Sequence, residues 1–104
     1  MEACPEKIAG VFLVRSEHLN HHGHLFGGDL MAEIDTIGYC LLRQVFPDQS
    51  FVTRAADISF ERPAFPGDAI VFEARLARRG STSVVIEVTG TVAGAVIGTG
   101  RMVY

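Results

Sequence analysis

A chain of 104 residues has room for one hydrophobic core, and residues 1–104 read as a single domain. Apolar residues make up 48% and charged residues 20%, proportions that exclude an intrinsically disordered chain. The formal charge of −3 comes without the basic stripe of a nucleic-acid binder, although Arg75, Arg78 and Arg79 gather closely enough to suit a small phosphorylated ligand.

The first predicted element is a strand over Ile8–Arg15, with Val11, Leu13 and Arg15 alternating against Phe12 and Val14. Its apolar run, Ile8 to Val14, is too short to span a bilayer and lacks the basic start and small-residue cleavage site of an export signal. No membrane contact is expected. Cys4 and Cys40 have no metal-ligand spacing and make no disulfide framework, so the expected location is the cytoplasm. Ser16–Phe26 reads as a polar loop rich in histidine.

From Gly27 to about Phe46, Leu30, Ile34, Ile37, Leu41 and Val45 fall on a helical stripe. Met31, Gly38 and Leu42 widen it, which predicts a helix buried on most of its circumference. Pro47 and Asp48 end it, because proline cannot continue the hydrogen-bond ladder. Beyond it the period changes. Strands are predicted over Phe51–Arg62, Ala69–Arg79, Ser83–Val92 and Ala95–Tyr104, with turns at Pro63–Asp68, Gly80-Ser81 and Ala93-Gly94.

The expected order is therefore a strand, a long helix and four strands in a meander. A helix so apolar needs cover on several sides, and a curled sheet supplies it by wrapping around. The predicted class is α+β, a hotdog fold with a five-stranded antiparallel sheet around one central helix. A helix lying flat on the sheet would leave too much of it exposed. Five strands also leave two open edges, which proteins normally pair or protect. Phe51–Arg62 is the candidate to pair with its own copy, and a homodimer or larger even-numbered assembly is expected.

Asp35 is the residue that most needs an explanation, because burying an ionised carboxylate is costly unless it is paired or used. The plain alternative is a solvent-facing helix aspartate. Gly27 and Gly28 lie where the helix begins, and the first N–H groups of a helix have no internal partners. Glycine lets a carbonyl approach them closely. A glycine-rich helix start explains the pair equally well on sequence alone. Asp29, in the first turn, suits the helix dipole better than chemistry.

Three blocks carry a family likeness. The first is Asn20-His21-His22-Gly23-His24-Leu25-Phe26-Gly27-Gly28, followed by Leu30-Met31 and Asp35. The second runs from Phe51-Val52-Thr53-Arg54 through Phe60-Glu61-Arg62-Pro63 to Gly67-Asp68, and the third is Arg79-Gly80-Ser81-Thr82-Ser83. In this order and spacing the chain resembles the hotdog-fold acyl-CoA thioesterases, in particular the YciA and brain acyl-CoA hydrolase branch. Two features depart from the pattern: Asp29 stands where a bulky apolar residue is usual, and the sequence ends at Tyr104 where many members carry an extension.

The resemblance implies thioester hydrolysis of acyl-CoA, with Asp35 as general base or nucleophile and Asn20 orienting the water or the carbonyl. Gly27 and Gly28 would supply N–H donors to the oxyanion, whose loss elsewhere costs roughly 100- to 1,000-fold in rate. Asn20 alone would read as a turn former. Arg62, Arg79, Ser81, Thr82 and Ser83 are the candidates for the coenzyme A end, since a guanidinium binds phosphate through a planar fork. Arg54, Gly80, His18, Phe26 and Phe60 complete the expected substrate-contacting set. Phe12, Phe26, Phe60 and Phe65 are candidates for an acyl tunnel, although aromatics in so small a protein are mostly core. His18, His21, His22 and His24 invite a metal hypothesis, but no cysteine joins them and they do not share a helix face. No metal and no cofactor beyond the substrate's own coenzyme A is expected.

Spacing adds a constraint. Gly28 and Asp35 are seven residues apart, about 10 Å along a helix. A reacting carbonyl must lie within roughly 3 Å of both donors and attacking group. One subunit cannot supply both, whereas two copies with antiparallel helices can. Two other readings remain. One is a hotdog hydratase or dehydratase using His18 or His24 with Asp35, and the other is a non-catalytic acyl-CoA-binding module.

Overall fold

The computed structural model describes residues 6–104. The Cys4 part of the cysteine expectation lies outside them, and Cys40 is exposed. The described elements are β1 (Lys7–Leu13), a 3-10 turn (Ser16–His18), α1 (Gly27–Val45), β2 (Ala55–Phe60), β3 (Ala69–Arg79), β4 (Val84–Val92) and β5 (Ala95–Val103). All five strands pair antiparallel in one sheet of order β1-β3-β4-β5-β2, with α1 against its inner face. This is the expected α+β hotdog fold.

Two expectations about the arrangement are corrected. Only β3, β4 and β5 form a meander. The strand after the helix does not pair with β3 but lies beside β5 at the far edge, from Ala55 opposite Val103 to Phe60 opposite Gly98. It is also shorter than predicted, because Phe51–Arg54 is held by single contacts rather than by a ladder. Arg54 N–H donates to Val103 O at 2.8 Å, and Phe51 N–H reaches the Tyr39 hydroxyl at 3.4 Å.

The second correction concerns α1. Leu30, Ile34, Gly38, Leu41 and Leu42 are buried against the sheet, but the opposite face is open. Met31 is 44% exposed, and Ala32, Thr36 and Cys40 are exposed with it. A single sheet covers one side of a helix, so the broad apolar stripe exceeds what one chain can bury. Three phenylalanines likewise lie outside the core: Phe26, Phe60 and Phe65 are about half exposed.

The helix sits close to the sheet because β5 presents bare backbone beneath it. A Cβ on Gly100 would stand 2.6 Å from Ile34 Cγ2, and one on Gly98 would stand 3.0 Å from Leu30 Cδ2. The chain from β2 back to β3 then passes beside the helix start, tied by Leu25 N–H to Ala64 O at 2.8 Å and Val14 N–H to Asp68 O at 2.9 Å.

Because Ile34 is fully buried and cannot retreat, Gly100→Ala should lower stability by roughly 1–3 kcal/mol, the usual cost of overpacking a core. Thermal or denaturant unfolding measures this, and an unchanged midpoint would show that the helix can lift off at no cost.

Candidate active site

The histidine-rich loop is a small hairpin closed on Asn20. Asn20 N–H donates to His24 O at 2.7 Å, and Gly23, at φ +79°, returns its N–H to Asn20 O at 3.0 Å. The side-chain oxygen of Asn20 accepts from the N–H groups of His22 (2.9 Å) and His24 (3.1 Å). Two donors on one oxygen identify it as the carbonyl end of the amide. The acceptor is thus committed to the loop, and only the NH2 end is left for anything else. Asn20 is a turn former whose donor stays available.

That amide borders a cavity of about 340 Å³, which Gly27, Leu30, Phe60 and Arg62 also line. The helix begins there. Asp29 and Leu30 N–H both reach back to Phe26 O, at 3.0 and 3.2 Å. Among the described residues, the N–H groups of Gly27 and Gly28 have no acceptor. The Phe26 ring lies over Gly28, where a Cβ would meet its Cε2 at 2.5 Å. A side chain at 28 would therefore displace the ring.

Asp35, two turns on, lies outside this cavity. It is half-buried on the open face of α1, beside a separate hollow lined by Thr36, Tyr39, Cys40 and Arg43. Two hydroxyls donate to its Oδ1: Thr53 at 2.9 Å and Tyr104 at 2.9 Å. Burial pushes the Tyr104 phenol well above its ordinary value, and its hydrogen bond to the Asp35 carboxylate adds to the rise. Neither hydroxyl belongs to the set expected from sequence. Thr53 stood within one of the family-like blocks, but Tyr104 gave no signal, being 69 positions from its partner.

A third hollow, of about 420 Å³, gathers Arg54, Arg79, Gly80, Ser81, Thr82 and Ser83, with Tyr104 on its wall. Arg54 Nη2 donates to Thr82 O at 3.1 Å, and the Arg79 guanidinium lies 4.5 Å from the centre of the Phe46 ring. A β-bulge between Leu76 and Arg78 puts Arg79 there. The extra residue turns Arg79 onto the helix side of the sheet, whereas Arg75 faces outward and pairs with Glu87. Ion pairs among the described residues use Arg15, Arg75 and Arg101, leaving Arg54, Arg62 and Arg79 without a carboxylate.

Arg62 stands apart from the other two. It borders the Asn20 cavity, where Glu61 and Arg62 N–H both reach Ile97 O, at 2.9 and 3.3 Å. Phe26 and Phe60 lie at the same end. His18 is engaged locally: its Nδ1 accepts from Arg15 N–H at 3.0 Å and its ring centre lies 4.7 Å from that of Phe12. His24 lines the Asn20 cavity and meets Phe65 edge-on.

The stretch that carries the helix and most of the sheet matches a known sequence family. The family model described as Thioesterase superfamily matches residues 22–97. The chain belongs to the thioesterase superfamily. Among related thioesterases, the acyl-CoA thioester hydrolase YciA of Salmonella typhimurium is 33% identical over 69 residues, 66% of this chain and 52% of YciA. The chain thus spans about half the length of that curated relative. Mouse acyl-coenzyme A thioesterase 13 is 28% identical over 97% of this chain and 74% of its own. The crystal structure of zebra fish thioesterase superfamily member 2 superposes with a TM-score of 0.90 at 25% identity, covering 99% of this chain and 76% of that one. The sequence relation thus lies with the YciA and acyl-CoA hydrolase branch. No helix among the described residues is long and apolar enough to cross a membrane.

The buried phenol of this thioesterase-family chain has a consequence for alkaline stability. The folded state holds the Tyr104 proton more tightly than the unfolded chain, in which the phenol titrates near 10. Stability from this group is therefore complete below pH about 10 and declines as pH rises above it. Denaturant melts at several alkaline pH values should show a steeper decline for the native protein than for Tyr104→Phe. Parallel declines would remove Tyr104 as the source.

Proposed function

We propose that the chain is an acyl-CoA thioester hydrolase whose active sites are shared between two copies. The observation that carries this reading is the division of labour along α1. Unpartnered N–H groups of Gly27 and Gly28 and the free amide donor of Asn20 lie at one end, and the hydroxyl-bound carboxylate of Asp35 lies two turns away on an open face. The donors suit a developing oxyanion and the carboxylate suits proton abstraction, yet no single carbonyl can meet both within one chain.

Pairing through β2 resolves the separation. Ala55, Ala56, Asp57, Ser59 and Phe60 are all exposed on that edge strand, which carries only one charge to discourage a partner. Two copies paired there with antiparallel helices bring Asp35 of one copy to Asn20 and Gly28 of the other. They also cover Met31 and the exposed phenylalanines.

In the reaction, water adds to the thioester carbonyl carbon as Asp35 takes its proton, or Asp35 itself attacks and water then cleaves the anhydride. The oxygen that becomes negative is met by the Gly27 and Gly28 N–H groups and the Asn20 amide. Collapse of the intermediate breaks the C–S bond, and the products are a carboxylate and the thiol of coenzyme A. Arg54, Arg79 and the Gly80–Ser83 turn form the hollow walled by Tyr104, whose hydroxyl reaches Asp35, and guanidiniums without a carboxylate there suit the phosphates of the nucleotide. Dehydration of an acyl thioester calls for a histidine paired with the carboxylate, and α1, which carries Asp35, has no histidine of its own.

Mixing variants tests the sharing. Asp35→Asn and Asn20→Ala proteins should each lose at least roughly 100-fold in turnover on acyl-CoA, followed by free thiol. Unfolded together and refolded in equal amounts, they should recover about a quarter of the native activity, because half the dimers carry one intact site of two. A well-assembled mixture that stays inactive excludes the shared site.

The nucleotide hollow has its own test. Arg79→Ala should raise KM for acyl-CoA roughly tenfold with kcat little changed, the size of one charge-assisted hydrogen bond. With a pantetheine thioester lacking the nucleotide the defect should shrink. Equal defects on both substrates would move Arg79 out of a phosphate site. Arg62→Ala in the same comparison reports whether the outlying arginine reaches the same phosphates.

A further inference from the structure

We propose that Tyr104 is a positioning residue for Asp35, its hydroxyl admitted by the absent side chain of Gly38 and holding one carboxylate oxygen so that the other is presented for reaction. The inference rests on the reading of Asp35 as the catalytic carboxylate.

Both hydroxyl donors address Oδ1, and among the described residues none addresses Oδ2. A carboxylate fixed through one oxygen cannot rotate freely about its last bond. Of the two donors, Tyr104 is the one that can impose this orientation. It is 4% exposed, and its backbone is tied on both sides of the peptide, with N–H to Val84 O and Val84 N–H to Tyr104 O, each at 2.9 Å. Its ring stacks on Tyr39, with centres 6.3 Å apart and planes 21° from parallel. Thr53, by contrast, is exposed on the segment between α1 and β2, which has no ladder.

Gly38 supplies an independent observation. A Cβ at this position would stand 2.8 Å from the Tyr104 hydroxyl oxygen, inside any real contact distance. Mid-helix glycine costs about 1 kcal/mol relative to alanine. The gap it leaves is filled by the hydroxyl that reaches Asp35 one turn earlier on the same helix. A phenol is protonated throughout the neutral range at its ordinary value near 10, and burial only extends that range upward, so the hydroxyl remains a donor.

Steady-state hydrolysis of an acyl-CoA panel by Tyr104→Phe, Gly38→Ala, Asp35→Asn and their pairwise combinations tests this. Tyr104→Phe, which removes one oxygen and keeps the ring, should lower kcat roughly tenfold with KM within about twofold. Gly38→Ala should give a similar loss, and the two together should lose no more than one alone, because both remove the same hydrogen bond. In the Asp35→Asn background Tyr104→Phe should change nothing further. A native kcat in Tyr104→Phe, or an equal loss with and without the Asp35 carboxylate, overturns the positioning role while Asp35→Asn still reports on the base. Should Tyr104→Phe fold poorly, a native kcat in folded Gly38→Ala overturns it equally. Native turnover in Asp35→Asn would instead overturn the reading of Asp35 itself.

Discussion

The contact between Ile34 and the bare backbone of Gly100 holds the frame on which the candidate site depends. With no side chain on β5 at Gly98 and Gly100, α1 sinks onto the sheet until its aliphatic residues touch peptide. Close packing of this kind fixes both the height and the rotation of the helix. The rotation decides which residues face away, and Asp35 is among them, half-buried and within reach of hydroxyls from two other parts of the chain. Tyr104 reaches it only because Gly38, on the same helix, leaves a gap at the level where β5 ends.

From that packing follows an imbalance between the two faces of α1. The sheet satisfies Leu30, Ile34, Leu41 and Leu42, but it leaves Met31 on the far side, and Phe26, Phe60 and Val52 remain open nearby. Apolar surface of this extent, next to an edge strand with a single charged residue, is what an interface looks like before it is filled. The separation of the helix-start donors from Asp35 makes the same demand on chemical grounds. Packing and the proposed chemistry thus point independently to the proposed second copy.

Irregularities in the sheet place the side chains that regular strands could not. The extra residue in β3 reverses the facing of Arg79, so that it lies over Phe46 on the helix side rather than in the outer row with Arg75. A second irregularity, between Gly90 and Thr91, sets Ile97 where its carbonyl receives Glu61 and Arg62. The two expected phosphate-binding arginines therefore end in different hollows, although both precede a turn in the sequence.

Periodicity alone determined the elements, because the spacing of Leu30, Ile34 and Leu41 and the alternation of Ile70, Phe72 and Ala74 record which face each element buries. Local chemistry was legible too: Gly27 and Gly28 opened the helix, Pro47 closed it, and Asp35 stood out as a carboxylate among apolar neighbours. The order of strands was not, since pairing of β2 with β5 rather than β3 depends on where the helix delivers the chain. Nor was the exposure of the outer helix face, because an apolar stripe does not say whether its cover comes from the same chain. The commitment of the Asn20 oxygen to its own loop needed the geometry of that loop, in which two backbone donors claim it. Tyr104 needed it most. A hydrogen bond between residues 69 positions apart leaves no periodic trace, and only the packed fold brings a strand's end to the middle of a helix.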